Sequence, residues 1–167
     1  MFGTSRSSSD VSRGPDPPLC FSRGDRLWVG GNNVPVKRFV ERWLRSGSAA
    51  PSCTPSNQAG PVRPRNGPVD AALLVPASAD EAAYFAEKIG VRLAVRGVIW
   101  VVQAPPSDAR YPVHAPPAEG IMAALAGRGF THTGRATLSD GYVALGFRRA
   151  LSLPGDGRRA AVGMACG

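Results

Sequence analysis

Two histidines, three cysteines and one double glycine are the residues of this chain best suited by type to do chemistry. His114 lies in the Pro-rich run QAPPSDARYPVHAPP, beside Asp108, Arg110 and Tyr111, and His132 lies in THTGRATL. A catalytic histidine works as a base on a nucleophile or is oriented by a carboxylate. No Ser-His-Asp order, G-x-S-x-G elbow, Walker loop or H-E-x-x-H run accompanies either histidine. His114 falls near the expected carboxyl end of a strand, where ligands bind in open α/β sheets. An exposed loop is the plainer reading of His114 and its neighbours, and packing or a strand edge that of His132. Asp70 opens an apolar run and reads as a strand anchor rather than a base. No catalytic residue is assigned.

Cys20, Cys53 and Cys166 are far apart, each in a Pro/Gly/Ser-rich stretch, with no C-x-x-C pair. That spacing argues against a zinc site and implies no metal. It suits reduced thiols in the cytoplasm. The double glycine sits in RLWVGGNN, directly after a short apolar run. A Gly-rich turn after a strand lets backbone amides approach a cofactor, and an acidic residue further on holds its ribose. Here there is no G-x-G spacing, and no acidic residue lies between Glu41 and Asp70. By residue type alone, Gly30, Gly31 and Asn32 read as a tight turn.

The elements that must position these residues follow from periodicity. Arg26–Val29 reads as a strand. Pro35–Ser46 reads as an amphipathic helix, with Val36, Phe39, Val40, Trp43 and Leu44 on one stripe. Its other face carries Lys37, Arg38, Glu41, Arg42 and Arg45. Residues 48–68 show no periodicity and read as an irregular insert. Val69–Pro76 is a buried strand by its near-continuous apolar run. Ser78 and Glu81 have the S-x-x-E spacing of a capping box. The helix they open carries Ala82, Phe85, Ala86, Ile89 and Leu93 as its stripe and ends at Gly97. Val98–Val102 is the next buried strand. A short helix, Ala118–Arg128, ends at Gly129. A hairpin then pairs Arg135–Leu138 with Tyr142–Arg148 across Ser139–Gly141.

The 167 residues suffice for one domain with a real core. Gly 20 and Pro 16 concentrate toward the ends and the loops, so residues 1–20 and 151–167 read as disordered tails around a domain at 21–150. The net charge is +8, almost all of it arginine. That balance favours acidic partners, nucleic acid among them, through Arg38, Arg42, Arg45, Arg63 and Arg65. No apolar run approaches the about 20 residues that span a bilayer. The N-terminal MFGTSRSSSDVSRGPDPP has no apolar stretch of the secretory kind. A cytoplasmic chain without a membrane partner is expected.

Strand, helix, strand, helix and hairpin form the closing half of class I S-adenosylmethionine-dependent methyltransferases. The stretches GDRLWV, PVDAALLV, RGVIWVV, RGF and VALGFRRA carry the likeness. On them the chain resembles a family of small, uncharacterised bacterial domains, a reduced and degenerate form of that superfamily. The likeness covers Gly24 to Arg149 apart from the insert. It implies an α/β, Rossmann-like, mostly parallel sheet with a C-terminal antiparallel hairpin. It also implies S-adenosylmethionine as the cofactor, cradled by Gly30, Gly31 and Asn32. The expected function is a non-catalytic module that binds a small ligand or a protein partner. The alternatives are an active methyltransferase with an atypical cofactor loop and a basic nucleic-acid-binding module. Any ligand is expected beyond the carboxyl ends of the strands.

Overall fold

The computed structural model describes residues 15–22, 24–46, 66–105 and 116–150. Five strands form one sheet: β1 (Leu27–Gly30), β2 (Val69–Leu74), β3 (Leu93–Gln103), β4 (Phe130–Thr137) and β5 (Val143–Arg149). Their spatial order is β1-β2-β3-β5-β4. β1 pairs with β2, and β2 with β3, in parallel, while β5 runs antiparallel to both β3 and β4. Only β5 is therefore reversed. This is the Rossmann-like, mostly parallel sheet with a closing antiparallel hairpin that the residue pattern implied.

Three helices cover the sheet: α1 (Val34–Arg45), α2 (Ala79–Gly90) and α3 (Ala118–Ala126). Strand alternation sorts the core into two faces. Leu73 and Val75 of the β2 region, with Val102 of β3, join Val36, Phe39, Val40 and Trp43 of α1 on one face. Leu74, Ile99, Val101, Leu145 and Phe147 meet Ala82, Ala86 and Ile89 of α2 and Ile121 and Leu125 of α3 on the other. Phe39 stacks on Tyr142, with ring centroids 3.6 Å apart and planes within 7°. Trp43 and Phe39 thus pack against the sheet as the stripe predicts. Phe85 is only half-buried, at the edge of the α2 face beside Trp28.

Sequence and structure differ at three places. α2 stops at Gly90, seven residues before the expected end at Gly97. The Arg92 N–H donates to the Ile89 carbonyl, and the Arg92 carbonyl then accepts from Val69 of β2. That second bond starts the β3 ladder, and Leu93 pairs with Val69. Leu93 packs into the same apolar cluster as α2, so its spacing fits either element. β4 begins at Phe130 rather than Arg135, because Phe130 is buried and pairs with Arg149. The core also starts before residue 21. Leu19 and Phe21 are buried, and the backbone at Pro17 and Leu19 bonds to Thr137. The insert at 48–65 and residues 151–167 lie outside the described residues.

Candidate functional site

Two regions have the polar groups and shape to matter: the crevice at the carboxyl ends of β1 and β2, and a pocket at the opposite, amino ends.

The crevice holds the expected cradle. Gly31 follows β1, and Asn33 caps α1 with its side-chain carbonyl accepting from Val36 N–H at 3.4 Å. Space around both glycines is taken by the chain itself. A Cβ on Gly30 would fall within the indole ring of Trp28. Gly31 has φ +129°, and a Cβ there would collide with the Val75 backbone. That contact is fastened on both sides. Val75 N–H donates to the Gly30 carbonyl at 2.9 Å, and Asn33 N–H donates to the Val75 carbonyl at 3.1 Å. Close backbone approach is what glycines give a cofactor turn, and here the approaching partner is β2.

Two further donors of the crevice are held by one carboxylate. Glu81 Oε1 accepts from Asn32 N–H at 2.8 Å, and Oε2 accepts from Ala77 N–H at 2.6 Å. Ser78 Oγ accepts from Glu81 N–H at 3.1 Å, so half of the capping box forms as its spacing predicts. The other half is redirected. In place of the Ser78 amide, Glu81 ties the turn after β1 to the turn after β2. At Gly30, Gly31 and Asn32, where the resemblance implied S-adenosylmethionine, Trp28 and Val75 lie where a Cβ would on the two glycines, and Glu81 accepts from Asn32 N–H.

The other expected residues do not converge on this crevice. Asp70 lies at the amino end of β2, where Arg26 Nε and Nη2 grip its two oxygens at 2.8 and 2.9 Å and Arg26 N–H adds a third bond at 2.9 Å. The Arg26 guanidinium holds the Asp70 carboxyl below its usual range. It is the strand anchor read from the sequence. His132 is exposed on the edge strand β4, its ring edge-on to Phe147 at 5.5 Å. Arg38, Arg42 and Arg45 are exposed on α1. His114, Asp108, Arg110, Tyr111, Arg63 and Arg65 lie outside the described residues. Among the described residues no group of His, Cys, Asp and Glu could hold a metal ion. No helix among them is long and apolar enough to cross a membrane.

The second region was not visible in the sequence. A pocket of about 340 Å³ opens at the amino ends of the parallel strands, with Phe21, Asp25, Asp70, Arg96, Gly97 and Trp100 in its lining. Arg96 and Gly97 read as the end of a helix, and Phe21 and Asp25 as the irregular start of the domain ahead of its first strand. The nearest sequence signal is Asp70 itself, a carboxylate at the first turn of an otherwise apolar strand.

Neither a family model nor a curated protein matches the sequence. Among solved structures, the chain is similar to the mitomycin 7-O-methyltransferase MmcR, at 11% identity and a TM-score of 0.43, over 77% of this chain and 49% of that one. It is similar to the pyocyanin biosynthetic protein PhzM at 15% identity and a TM-score of 0.42, over 77% of this chain and 43% of that one. A third is LepI in its complex with SAM, at 9% identity and a TM-score of 0.43, over 84% and 45%. The chain spans less than half the length of each.

Proposed function

We propose that this chain is a methyltransferase-like module that binds a ligand or partner without transferring a methyl group. One observation supports the reading: at the turn that would cradle S-adenosylmethionine, the chain's own groups take up the glycine space and two backbone donors. Asn32 and Ala77 donate to Glu81, and the two glycines accommodate Trp28 and Val75. A ligand accepting from Asn32 or Ala77 N–H would first have to displace Glu81. The described residues offer no paired acid and base there to move a proton.

Calorimetric titration of the full chain with S-adenosylmethionine and S-adenosylhomocysteine tests this. At most weak binding is expected. A submicromolar affinity for either would promote the enzyme reading. Gly30→Val is a poor control for that experiment, because the new side chain would strike Trp28 whether or not a cofactor binds.

The exposed arginines of α1 favour a second reading, a nucleic-acid contact through Arg38, Arg42 and Arg45. Phosphate binding releases counterions, so affinity for a DNA duplex or single strand must fall steeply as salt rises. A flat salt dependence would remove that reading.

A further inference from the structure

We propose that the pocket at the amino ends of β1, β2 and β3 binds a small zwitterion with an apolar body, of the kind an aromatic amino acid presents. Its carboxylate would meet Arg96, its ammonium Asp25, and its body Trp100 and Phe21.

The pocket is made by an irregularity of the chain. Leu93 of β3 pairs with Val69, and the next paired residue, Val98, faces Ala71. Ala94, Val95, Arg96 and Gly97 therefore stand opposite Asp70 alone. Bulges of this kind re-aim side chains and are over-represented next to functional sites. This one swings Ala94, Arg96 and Gly97 into the pocket lining. Gly97 is required by the tight path, since a Cβ there would lie 2.6 Å from Leu93 Cγ and 2.9 Å from the Ala94 carbonyl oxygen.

The opposite wall is fixed as well. Leu19 N–H donates to the Thr137 carbonyl at 2.7 Å and anchors the segment that carries Phe21. Ser22 N–H donates to Asp25 Oδ2 at 2.7 Å, which closes the turn and leaves Oδ1 without a partner among the described residues. Phe21 is edge-on to Trp43 at 6.4 Å and so is held in the core.

Charge selects the ligand class. Asp70 is neutralised in place, with both oxygens committed to Arg26. Among the described lining residues, what remains is one half-buried carboxylate whose Oδ1 has no partner, Asp25, and one exposed guanidinium with no ion pair, Arg96. A simple anion would meet Asp25 and a simple cation would meet Arg96. A molecule carrying both charges satisfies both. The volume, about 340 Å³, lies at the small end of ligand pockets, roughly 300–1,000 Å³.

Three probes of matched shape decide the matter: L-phenylalanine, phenylacetate and phenethylamine, titrated into the full chain by calorimetry and ligand-observed NMR. L-phenylalanine should bind about two- to fivefold more tightly than either half-charged probe, since a solvent-screened charge pair supplies a factor of that order. Arg96→Gln should lower its affinity to that of phenethylamine, and Asp25→Asn to that of phenylacetate, with melting temperatures kept. Equal affinities for the three probes, no saturable binding of L-phenylalanine, or full affinity in folded Arg96→Gln would each overturn the proposal. The outcome is separable from that for the carboxyl-end crevice, because S-adenosylmethionine binding there would survive Arg96→Gln.

Discussion

Gly31→Ala is the sharpest test of how the carboxyl-end crevice is built. The substitution adds one carbon at a residue with φ +129°, where a Cβ would collide with the Val75 carbonyl. Placing an L-residue at strained backbone angles costs about 1–3 kcal/mol. Relief of the collision must move Val75, which is bonded to Gly30 on one side and Asn33 on the other. Each lost bond is worth about 0.5–1.5 kcal/mol. The full effect is then about 2–6 kcal/mol, a large share of the roughly 5–15 kcal/mol by which domains are stable. Gly129→Ala is the matched control. Gly129 also has positive φ, +79°, but nothing lies within 4 Å of its would-be Cβ. It should lose only the backbone part, about 1–2 kcal/mol. Urea unfolding of the three proteins reads both effects, with a slope of about 1–3 kcal/mol per molar. Equal midpoints for Gly31→Ala and Gly129→Ala would show that the Val75 contact contributes nothing. In that case the glycine pair would again be open to a ligand role.

Three further outcomes follow from the same contacts. Phe39→Ala should cost about 3–5 kcal/mol, since the ring is buried and stacked on Tyr142, whereas half-buried Phe85→Ala should cost clearly less; equal losses in denaturant midpoint would contradict the burial difference. Asp70→Asn should destabilise the protein at neutral pH and progressively less in acid. The folded carboxyl of Asp70 is held low by Arg26, so its contribution is complete above the unfolded value of about 3.9 and fades as pH falls through the folded one. A gap between wild type and variant that stays constant down to strong acid would refute the ion pair's role. Glu81→Ala should lower stability by about 0.5–1.5 kcal/mol, since both backbone donors are exposed and regain water, read by thermal unfolding; no change would mean that Glu81 does not tie the two turns together.

How much of this was legible in the sequence depends on whether the signal was local. The α1 stripe, the β2 run and the Ser78 cap each rest on neighbours within a turn or two, and all three are present. The end of α2 was not legible, because Leu93 meets the same cluster from a helix or from a strand. Only the bond between Val69 and Arg92, more than twenty positions apart, decides it. Leu19 was hidden for the same reason: its partner is Thr137, at the far end of the domain. The pocket combines both failures, since one wall comes from that segment and the other from the misread helix end.

The glycine pair shows why a motif can be read correctly and still leave its purpose open. Two glycines after a strand report that something approaches the backbone closely. They cannot report what, because a pyrophosphate, a methionine carboxylate and a neighbouring strand all demand the same missing Cβ. The answer lay some forty residues away. Val75 supplies the approaching backbone, and Glu81 supplies the carboxylate that accepts the freed N–H groups. An anionic group on those amides is what the turn is suited to hold, and the chain provides that group from its own second helix. The strand ends thus become a fastening between β1 and β2, while a separate polar pocket among the described residues opens at the amino ends, beside Arg96 and Asp25.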